Sequence, residues 1–415
     1  MNRIVAGIDV HKRVLMIVVG VESGVDETQR MEFSRRRFGT TSLELLNVVS
    51  WLQQQRVTEV VMESTAQYWK PVWFALEPHF ELHLAQAWSN RAPRGKKADF
   101  KDAERLVRRH WAGELTLSYI PDGEQRALRD LTRRRTQLTR DRVRIHNQVE
   151  SLLEETRIKL SSMVSDLFGA SGVRILRALV DGETNPAALA ALADARVQRS
   201  PEELADALTG VVTPVHRQLL GQHMEQLDLI DAQLRQLSEW TAAAMQKYSA
   251  AITRLAEIPG IRVLTAEQII AEVGAKAEAF PTATQFSSWI GVCPGKQESA
   301  GENYSSRCAK GNRYLRRALA QAAQAAVKTK NSFFQRKFQR ILPRLGYVKA
   351  VWAIAHHLAV VIWNILHKEV DYEERGGATT QQALTRRLQR LNKELRAYGV
   401  TAVLHSVEPP TAPAV

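Results

Sequence analysis

Two apolar runs near the start of the chain decide its fold: IVAGIDV at Ile4–Val10 and VLMIVVGV at Val14–Val21, separated by the turn-like HKR of residues 11–13. Such runs, rich in β-branched residues, predict two strands that flank a turn. We predict further strands at Thr28–Arg37, Thr58–Met62 and Glu81–Ala85, and helices at Ser42–Gln55, Gln67–Leu76 and Lys97–Trp111. Three consecutive strands followed by alternating helices and strands indicate an α/β domain with a mixed sheet.

The size and charge of the chain limit its class. It has 415 residues, enough for two or three domains, and 45% of them are apolar, which excludes wholesale disorder. Lysine and arginine number 57 against 44 aspartate and glutamate, which gives a net charge of +13 and a pI near 9.9. A surplus of this size predicts a polyanionic partner, either nucleic acid or an anionic membrane.

Separate features argue against secreted, disulfide-rich and membrane-spanning proteins. Cys293 and Cys308 are too few and too isolated for a disulfide framework or a CxxC zinc cluster. Asp9 and Lys12 precede the first long apolar run, which is not the pattern of a signal peptide. That run, Val14–Val21, is far shorter than the ~20 residues that a bilayer requires. We therefore expect a cytoplasmic protein with no membrane partner.

Heptad spacing predicts two arms of a helical hairpin or coiled coil in the middle of the chain. The first run is Leu131, Leu138, Ile145 and Leu152, and the second is Leu220, Leu227 and Leu234, with Ile230 and Leu237 on the adjacent seam. Arg135 and Arg142 also occupy seam positions, so the packing there must be loose or must meet a partner. We expect a homo-oligomer, a dimer or tetramer, unless the arms pack only on each other within one chain.

We divide the chain into four parts. These are an α/β domain at 1–120, a helical coiled-coil hairpin with a small insertion at 121–250, a mostly helical block at 251–370, and a polar tail at 371–415 with a helix at Gln381–Tyr398 and a disordered end. In the third part, Leu255–Glu272 weakly resembles a helix-hairpin-helix DNA-binding element that turns at Pro259 and Gly260. A plain helix turn is the alternative.

The positive charge is concentrated in two segments. Residues 301–350 contain twelve Lys or Arg and one acidic residue, Glu302, and Arg126–Arg144 contain eight basic and two acidic residues. A solvated helix face usually mixes both signs, and aromatic residues are interleaved with the basic ones at 301–350, so a phosphate-binding surface is the better interpretation. The residues that we expect to bind nucleic acid are Arg307, Lys310, Asn312, Arg313, Arg316 and Arg317, together with Arg133 and Arg134.

Four acidic residues of the first domain are candidates for a metal site. Asp9 lies within the first apolar strand, where a carboxylate is costly unless it is paired, hydrogen-bonded or bound to a metal. Glu63 ends a later strand, while Asp99 and Asp102 share one face of a predicted helix. Together they resemble a ribonuclease-H-like nuclease site. Converging carboxylates repel unless a cation neutralises them, and two Mg²⁺ ions would suit this all-oxygen set.

Ser299 is a candidate nucleophile. Small residues follow it, in a predicted loop that opens a strongly basic helix. A serine in this position could attack a phosphate whose transition state is stabilised by neighbouring cations and metal. From the residues alone, an ordinary turn serine is the better explanation, and Ser305 and Ser306 are equally available.

Two sets of motifs resemble the DEDD transposases of the insertion sequence 110 family. The N-terminal set is GIDVHK at residues 7–12, MEST at 62–65 and KADFKDA at 97–103. The C-terminal set is IPGI at residues 258–261, QESAG at 297–301 and KGNRYLRRAL at 310–319. The resemblance covers residues 3–367 in the same order.

This resemblance implies a RuvC-like, RNase H-like first domain in which Asp9, Glu63, Asp99 and Asp102 bind Mg²⁺. It implies a C-terminal transposase domain in which Ser299 is the nucleophile. It further implies a bacterial enzyme, associated with the nucleoid when it acts, that recombines donor and target DNA under the direction of a structured noncoding bridge RNA.

Three other functions are compatible with parts of the sequence. An actin-like ATPase shares the GID strand, but it would need a later glycine-rich adenosine loop. A Holliday-junction resolvase would use the four acids with water as the nucleophile and would not need the serine. A non-catalytic nucleic-acid scaffold would keep full function after Asp9 is replaced.

Overall fold

The computed structural model describes residues 3–23, 30–64, 66–90, 100–295, 297–299, 302–305 and 307–374. Contacts divide the chain into two compact units, Met1–Pro121 and Asp122–Val415. The second unit therefore includes both the predicted hairpin and the predicted third part. The expected tail helix at Gln381–Tyr398 and the disordered end lie outside the described residues.

The described part of the first unit is a five-stranded mixed sheet with helices. Its elements are β1 (Ile4–Val10), β2 (Val14–Ser23), β3 (Arg30–Gly39), α1 (Ser42–Gln54), β4 (Glu59–Glu63), α2 (Trp69–Leu76), β5 (Glu81–Ala85) and α3 (Lys101–Trp111). The strand order is β3-β2-β1-β4-β5. β2 is antiparallel to β1 and β3, whereas β4 is parallel to β1 and β5. The predicted α/β class with a mixed sheet is confirmed.

The alternation of side chains along β1 assigns the two faces of the sheet. Ala6 and Ile8 belong to a core that includes residues of α1 and α2. Val5 packs instead with residues of α3. Gly7 lies on that second face, where a Cβ would come within 2.3 Å of the Ala103 carbonyl oxygen. A glycine is therefore required for α3 to approach β1 so closely.

The described part of the second unit is mostly helical. Its elements are α4 (Gly123–Glu155), α5 (Leu160–Met163), α6 (Ala170–Asp181), α7 (Pro186–Ala190), α8 (Pro201–Ala207), α9 (Pro214–Ala244), α10 (Ser249–Ala256), α11 (Val263–Val273), α12 (Ala283–Ile290), β6 (Gln297–Ser299), β7 (Glu302–Ser305), α13 (Arg313–Ala326) and α14 (Phe333–Lys368). The two long arms, α4 and α9, are antiparallel. Lys247 beyond the end of α9 pairs with Glu124 at the start of α4, and Asp231 pairs with Arg142 further along.

Most heptad residues of the two arms are buried within one chain, and Leu131 and Leu234 are partly buried against the same core. Leu138, Ile145 and Leu152 of α4 share a core with Leu220 and Leu227 of α9, and residues of α6 to α8 close the end of that core. The seam alone therefore does not require a second chain.

The two arginines on the seam of α4 have acidic partners in the same chain. Arg142 pairs with Asp231 of α9 at 2.6 Å, and Arg135 pairs with Glu267 of α11 at 2.6 Å. Neither a loose seam nor a partner chain is needed to accommodate their charges.

The turn between α10 and α11 contacts α13. Gly260 adopts a φ of +86°, and a Cβ there would lie 2.2 Å from the Ala322 carbonyl oxygen. This close approach and the positive φ are sufficient to explain the glycine.

Helix α14 is long and apolar enough to cross a membrane by length and composition alone. Its apolar residues do not form one uninterrupted run, so the sequence pattern did not predict a helix of this kind. The helix is kinked at Gly346, three residues after Pro343, and its buried side chains include Ile354, Leu358 and Ile362. It packs against α12 and α13, as the core helix of a folded domain does.

A buried ionic cluster joins three helices of the second unit. Glu272 of α11 is fully buried and accepts two hydrogen bonds of 2.7 Å from Arg133 of α4. It also accepts one of 2.8 Å from Asn312, which caps α13. These contacts neutralise and satisfy a carboxylate that would otherwise be costly to bury.

We expect Glu272→Ala to destabilise the chain by about 3–5 kcal/mol, because it leaves the buried Arg129 guanidinium and the half-buried Arg133 guanidinium without their counter-charge. Asp228→Ala is the control, since it removes an exposed ion pair with Arg177 and should cost less than ~1 kcal/mol. Urea unfolding of both variants measures the difference. Equal losses would show that the Glu272 cluster contributes no more than a surface pair.

Candidate active site

The mixed sheet places two of the predicted acids side by side. Ile8 of β1 is paired with Met62 of the parallel strand β4, so Asp9 and Glu63 are the next residues on the two strands and lie at the same edge. Alternation also puts both on the face that α3 covers, because Gly7 and Val61 lie there. Asp102 is in the first turn of α3. The structure therefore brings Asp9, Glu63 and Asp102 together.

The pKa of the Asp9 carboxyl reflects its proximity to the other two acids. Its side chain is only 20% exposed, and its Oδ2 lies 3.1 Å from His11 Nε2. Burial raises the pKa of the Asp9 carboxyl, and the nearby carboxylates of Asp102 and Glu63 raise it further, while His11 lowers it. Like-charge repulsion of this kind is expected where carboxylates converge on a cation site.

A hydrogen-bond network joins the other two acids. Glu63 accepts a bond of 2.9 Å from the Asn90 amide, and Asp102 accepts one of 2.7 Å from Arg105. Arg105 also donates to the Asn90 carbonyl oxygen at 3.0 Å. The sequence reasoning missed these roles. The three-residue spacing from Asp102 to Arg105 was a usable signal, whereas nothing in the sequence pointed to Asn90.

The carboxylate oxygens at this edge fit a divalent cation. Oxygen ligands are those that hard cations prefer, and the repulsion felt by Asp9 would be relieved by positive charge. Asp99, the fourth predicted ligand, lies outside the described residues.

Ser299 is the last residue of β6, in a short antiparallel hairpin with β7, where it pairs with Glu302. The sequence reasoning placed it in an irregular loop instead. The two strands are three and four residues long and mostly polar, so they carry no apolar alternation that could have predicted them. Ser305, the alternative nucleophile, accepts a bond from the Arg307 backbone N–H at 3.2 Å, and Ser306 lies outside the described residues.

The base of the hairpin is fixed by close backbone contacts. A Cβ at Gly295 would lie 2.4 Å from the Arg307 carbonyl oxygen. A Cβ at Gly311 would lie 2.3 Å from the Ile290 carbonyl oxygen. Asn312 caps α13 by accepting from two backbone N–H groups, and its own N–H donates to the Trp289 carbonyl at 3.0 Å. The segments that lead into and out of the hairpin therefore pack closely against each other, next to the C-terminal end of α12 and the N-terminal end of α13.

The basic residues predicted to bind nucleic acid occupy different environments. Arg307, Lys310 and Arg313 are exposed, and Arg317 is half-buried. Arg316 donates to the Ala309 carbonyl at 2.9 Å and stacks on Trp352, 4.8 Å from the ring centre. Trp352 was not singled out from the sequence.

The remaining predicted binding residues differ in the same way. Arg134 is exposed, whereas Arg133 is held by Glu272 and lies over the Tyr314 ring at 4.7 Å. Asn312 is engaged in capping α13. Arg133 and Asn312 thus have structural contacts that account for them without a nucleic acid.

Two family models match the chain. The model described as DEDD transposase of IS110 type matches residues 6–158, and that of the transposase IS116/IS110/IS902 family matches residues 252–339. The first match includes β1, β4 and α3, which carry Asp9, Glu63 and Asp102. The second ends within α14 and includes the hairpin with Ser299.

Two relatives that this chain matches over most of their length are also described as transposases. A probable family 20 transposase of Pseudomonas aeruginosa is 26% identical over 380 residues, covering 90% of this chain and 99% of its own. The transposase for insertion sequence element IS1111A of Coxiella burnetii is 22% identical over 374 residues, covering 89% and 91%.

Two solved structures of Thermus thermophilus RuvC also match part of the chain, and one of them is in complex with a Holliday junction substrate. Each match covers 28% of this chain and 99% of the RuvC chain at 13% identity. The TM-scores are 0.23 and 0.21. The two family models name IS110 transposases, and both relatives are described as transposases. The chain belongs to the IS116/IS110/IS902 family of DEDD transposases and is an enzyme of DNA recombination.

Proposed function

We propose that this transposase cuts and rejoins DNA strands with Mg²⁺, through a covalent serine–DNA intermediate, and that a structured noncoding RNA selects the sites. The observation that carries the proposal is the meeting of Asp9, Glu63 and Asp102 at one edge of the sheet. Asp99 is the proposed fourth acid.

The acids would hold Mg²⁺, which when bound neutralises them and stabilises the attacking and leaving oxygens of a phosphodiester. The chain's own residues preorganise that site. His11 contacts Asp9, while Asn90 and Arg105 orient Glu63 and Asp102. Because Asn90 is only 2% exposed, its amide is fixed and restricts the rotamers of Glu63.

Ser299 is the proposed nucleophile. Its Oγ would form a bond to phosphorus while the bond from phosphorus to the departing strand oxygen breaks. The serine proton would end on the departing hydroxyl, so atoms and charge balance. The phosphoserine bond conserves the energy of the broken linkage for rejoining, whereas hydrolysis would leave free ends. A water-using resolvase, the alternative function, would therefore give cleavage without strand exchange.

The proposed partners are donor DNA, target DNA and a guide RNA. Sequencing the RNA that co-purifies with the chain from its native host tests the guide. A single structured RNA encoded beside the transposase gene is the expected result, and a random sample of cellular RNA would contradict it. We also propose a homo-oligomer, a dimer or tetramer, because exchange between two duplexes requires more strand cuts than one serine can make.

The exposed basic residues near the hairpin should bind phosphates rather than bases. Arg313→Ala should weaken DNA binding about equally for all sequences and lower the slope of log affinity against log salt by about one unit. Arg235→Ala, which removes an exposed arginine of α9, is the control. Titrations at several salt concentrations measure both slopes. A changed sequence preference with an unchanged slope would show base recognition instead.

A further inference from the structure

A second cluster of ligating side chains lies on the α3 face of the same sheet, at the edge opposite the acids. Glu59 begins β4, and His83 lies on β5, where it pairs with Val61. His110 is near the end of α3. These residues are 24 and 27 positions apart in the sequence, and only the fold brings them together.

The distances in the cluster suit a metal ion. Glu59 Oε2 lies 2.8 Å from His110 Nε2 and 3.4 Å from His83 Nε2, and all three ligand atoms lie within 4.8 Å of one another. A tetrahedral site with bonds of about 2.0–2.1 Å separates its ligand atoms by roughly 3.3 Å. Small side-chain movements would therefore complete the geometry.

The cluster is enclosed, and one of its nitrogens has no hydrogen bond. The three side chains are 8–17% exposed. His83 Nε2 is fully buried and makes no hydrogen bond to the described residues, because its approaches to Glu59 and Glu81, at 3.4 and 3.5 Å, lack the required geometry. A buried polar atom of this kind calls for a ligand or a bound water.

We propose that Glu59, His83 and His110 bind Zn²⁺, with water as the fourth ligand. Two imidazoles and one carboxylate suit Zn²⁺ and similar transition ions, whereas Mg²⁺ prefers an all-oxygen set. The two sites of this unit would therefore select different ions.

The zinc site would fix the position of α3. His110 and Asp102 are eight residues apart on this helix, or about 12 Å along its axis. A metal that joins the C-terminal end of α3 to β4 and β5 would hold the N-terminal end, with Asp102, over Asp9 and Glu63. His110 and His83 are thus positioning residues for the acidic site.

Arg3 would compete with the ion for the Glu59 carboxylate. It contacts Glu59 through Nε at 2.6 Å and Nη2 at 2.8 Å, and Nη2 also lies 3.3 Å from His110 Nε2. The contact of Nη2 with Oε2 must lengthen when the ion binds. Arg3→Met, which removes the guanidinium but keeps an apolar stem, should therefore bind Zn²⁺ more tightly than the parent chain.

The experiment uses the full chain after chelator treatment, titrated with Zn²⁺ by calorimetry and with Co²⁺ by visible absorption. We expect one ion per chain and the intense bands of four-coordinate Co²⁺, unaffected by millimolar Mg²⁺. His83→Gln and His110→Gln should each weaken Zn²⁺ binding by more than ~100-fold. Loss of a residue that only hydrogen-bonds to a metal ligand costs ~10–100-fold, and loss of a ligand should cost more. His79→Gln, an exposed histidine of the same unit, and Asp9→Asn should leave the affinity unchanged.

Several results would overturn the proposal. One is a parent chain that binds no Zn²⁺ at all, and another is that both histidine variants bind Zn²⁺ as tightly as the parent chain does. A third such result is an Arg3→Met variant that binds Zn²⁺ more weakly than the parent chain. If His110→Gln fails to fold by circular dichroism, His83→Gln decides alone. Because Asp9→Asn retains this site and loses the other, failure here is distinguishable from failure of the proposed nuclease site.

Discussion

Asp9→Asn should lower Mg²⁺-dependent strand cleavage by ~10³-fold or more, the scale of loss seen when a central catalytic group is removed. The same substitution should raise the Tm of the chain in EDTA. Burial and the carboxylates of Asp102 and Glu63 raise the pKa of Asp9, so its charged form destabilises the folded chain at neutral pH. A neutral isostere relieves that repulsion, and the site should lose activity while the fold gains stability.

Glu104→Gln is the control for this prediction. Glu104 lies on the same helix two residues after Asp102, but it pairs with Arg35 and Arg108. The Glu104→Gln variant should cleave DNA within a few-fold of the parent rate and have a slightly lower Tm. Cleavage assays and thermal unfolding with and without Mg²⁺ give both quantities. Full activity in Asp9→Asn would contradict the proposed site and favour the non-catalytic scaffold.

Ser299→Ala should abolish strand exchange and the covalent protein–DNA adduct, again by ~10³-fold or more. DNA and RNA binding should remain unchanged, because the substitution removes one hydroxyl and no charge. Ser305→Ala is the matched control in the same hairpin. Denaturing gels that separate free DNA from adduct, together with binding titrations, measure the effects. An adduct that persists in Ser299→Ala but not in Ser305→Ala would make Ser305 the nucleophile.

Local patterns predicted most of the first unit. The β-branched runs at β1 and β2 and the strand that ends at Glu63 are short-range signals, and they are sufficient to place Asp9 and Glu63 at one edge of a mixed sheet. The heptads predicted the arms for the same reason, because each repeat is encoded within one helix.

Long-range pairings were not predictable in this way. The partner of Arg135 is 132 positions away at Glu267, so the sequence left its seam position unexplained. The Glu59, His83 and His110 cluster depends on which strands are neighbours in the sheet. These three residues can therefore be recognised as possible zinc ligands only when the fold is known.

The most direct test combines both halves of the proposed chemistry. The chain is incubated with DNA that cannot be rejoined, and the trapped adduct is digested and sequenced by mass spectrometry. We expect DNA linked to Ser299, in an adduct that forms in Mg²⁺ and is lost both in EDTA and in Asp9→Asn. Free DNA ends without an adduct, or a Ser299 adduct that forms equally well in Asp9→Asn, would contradict it.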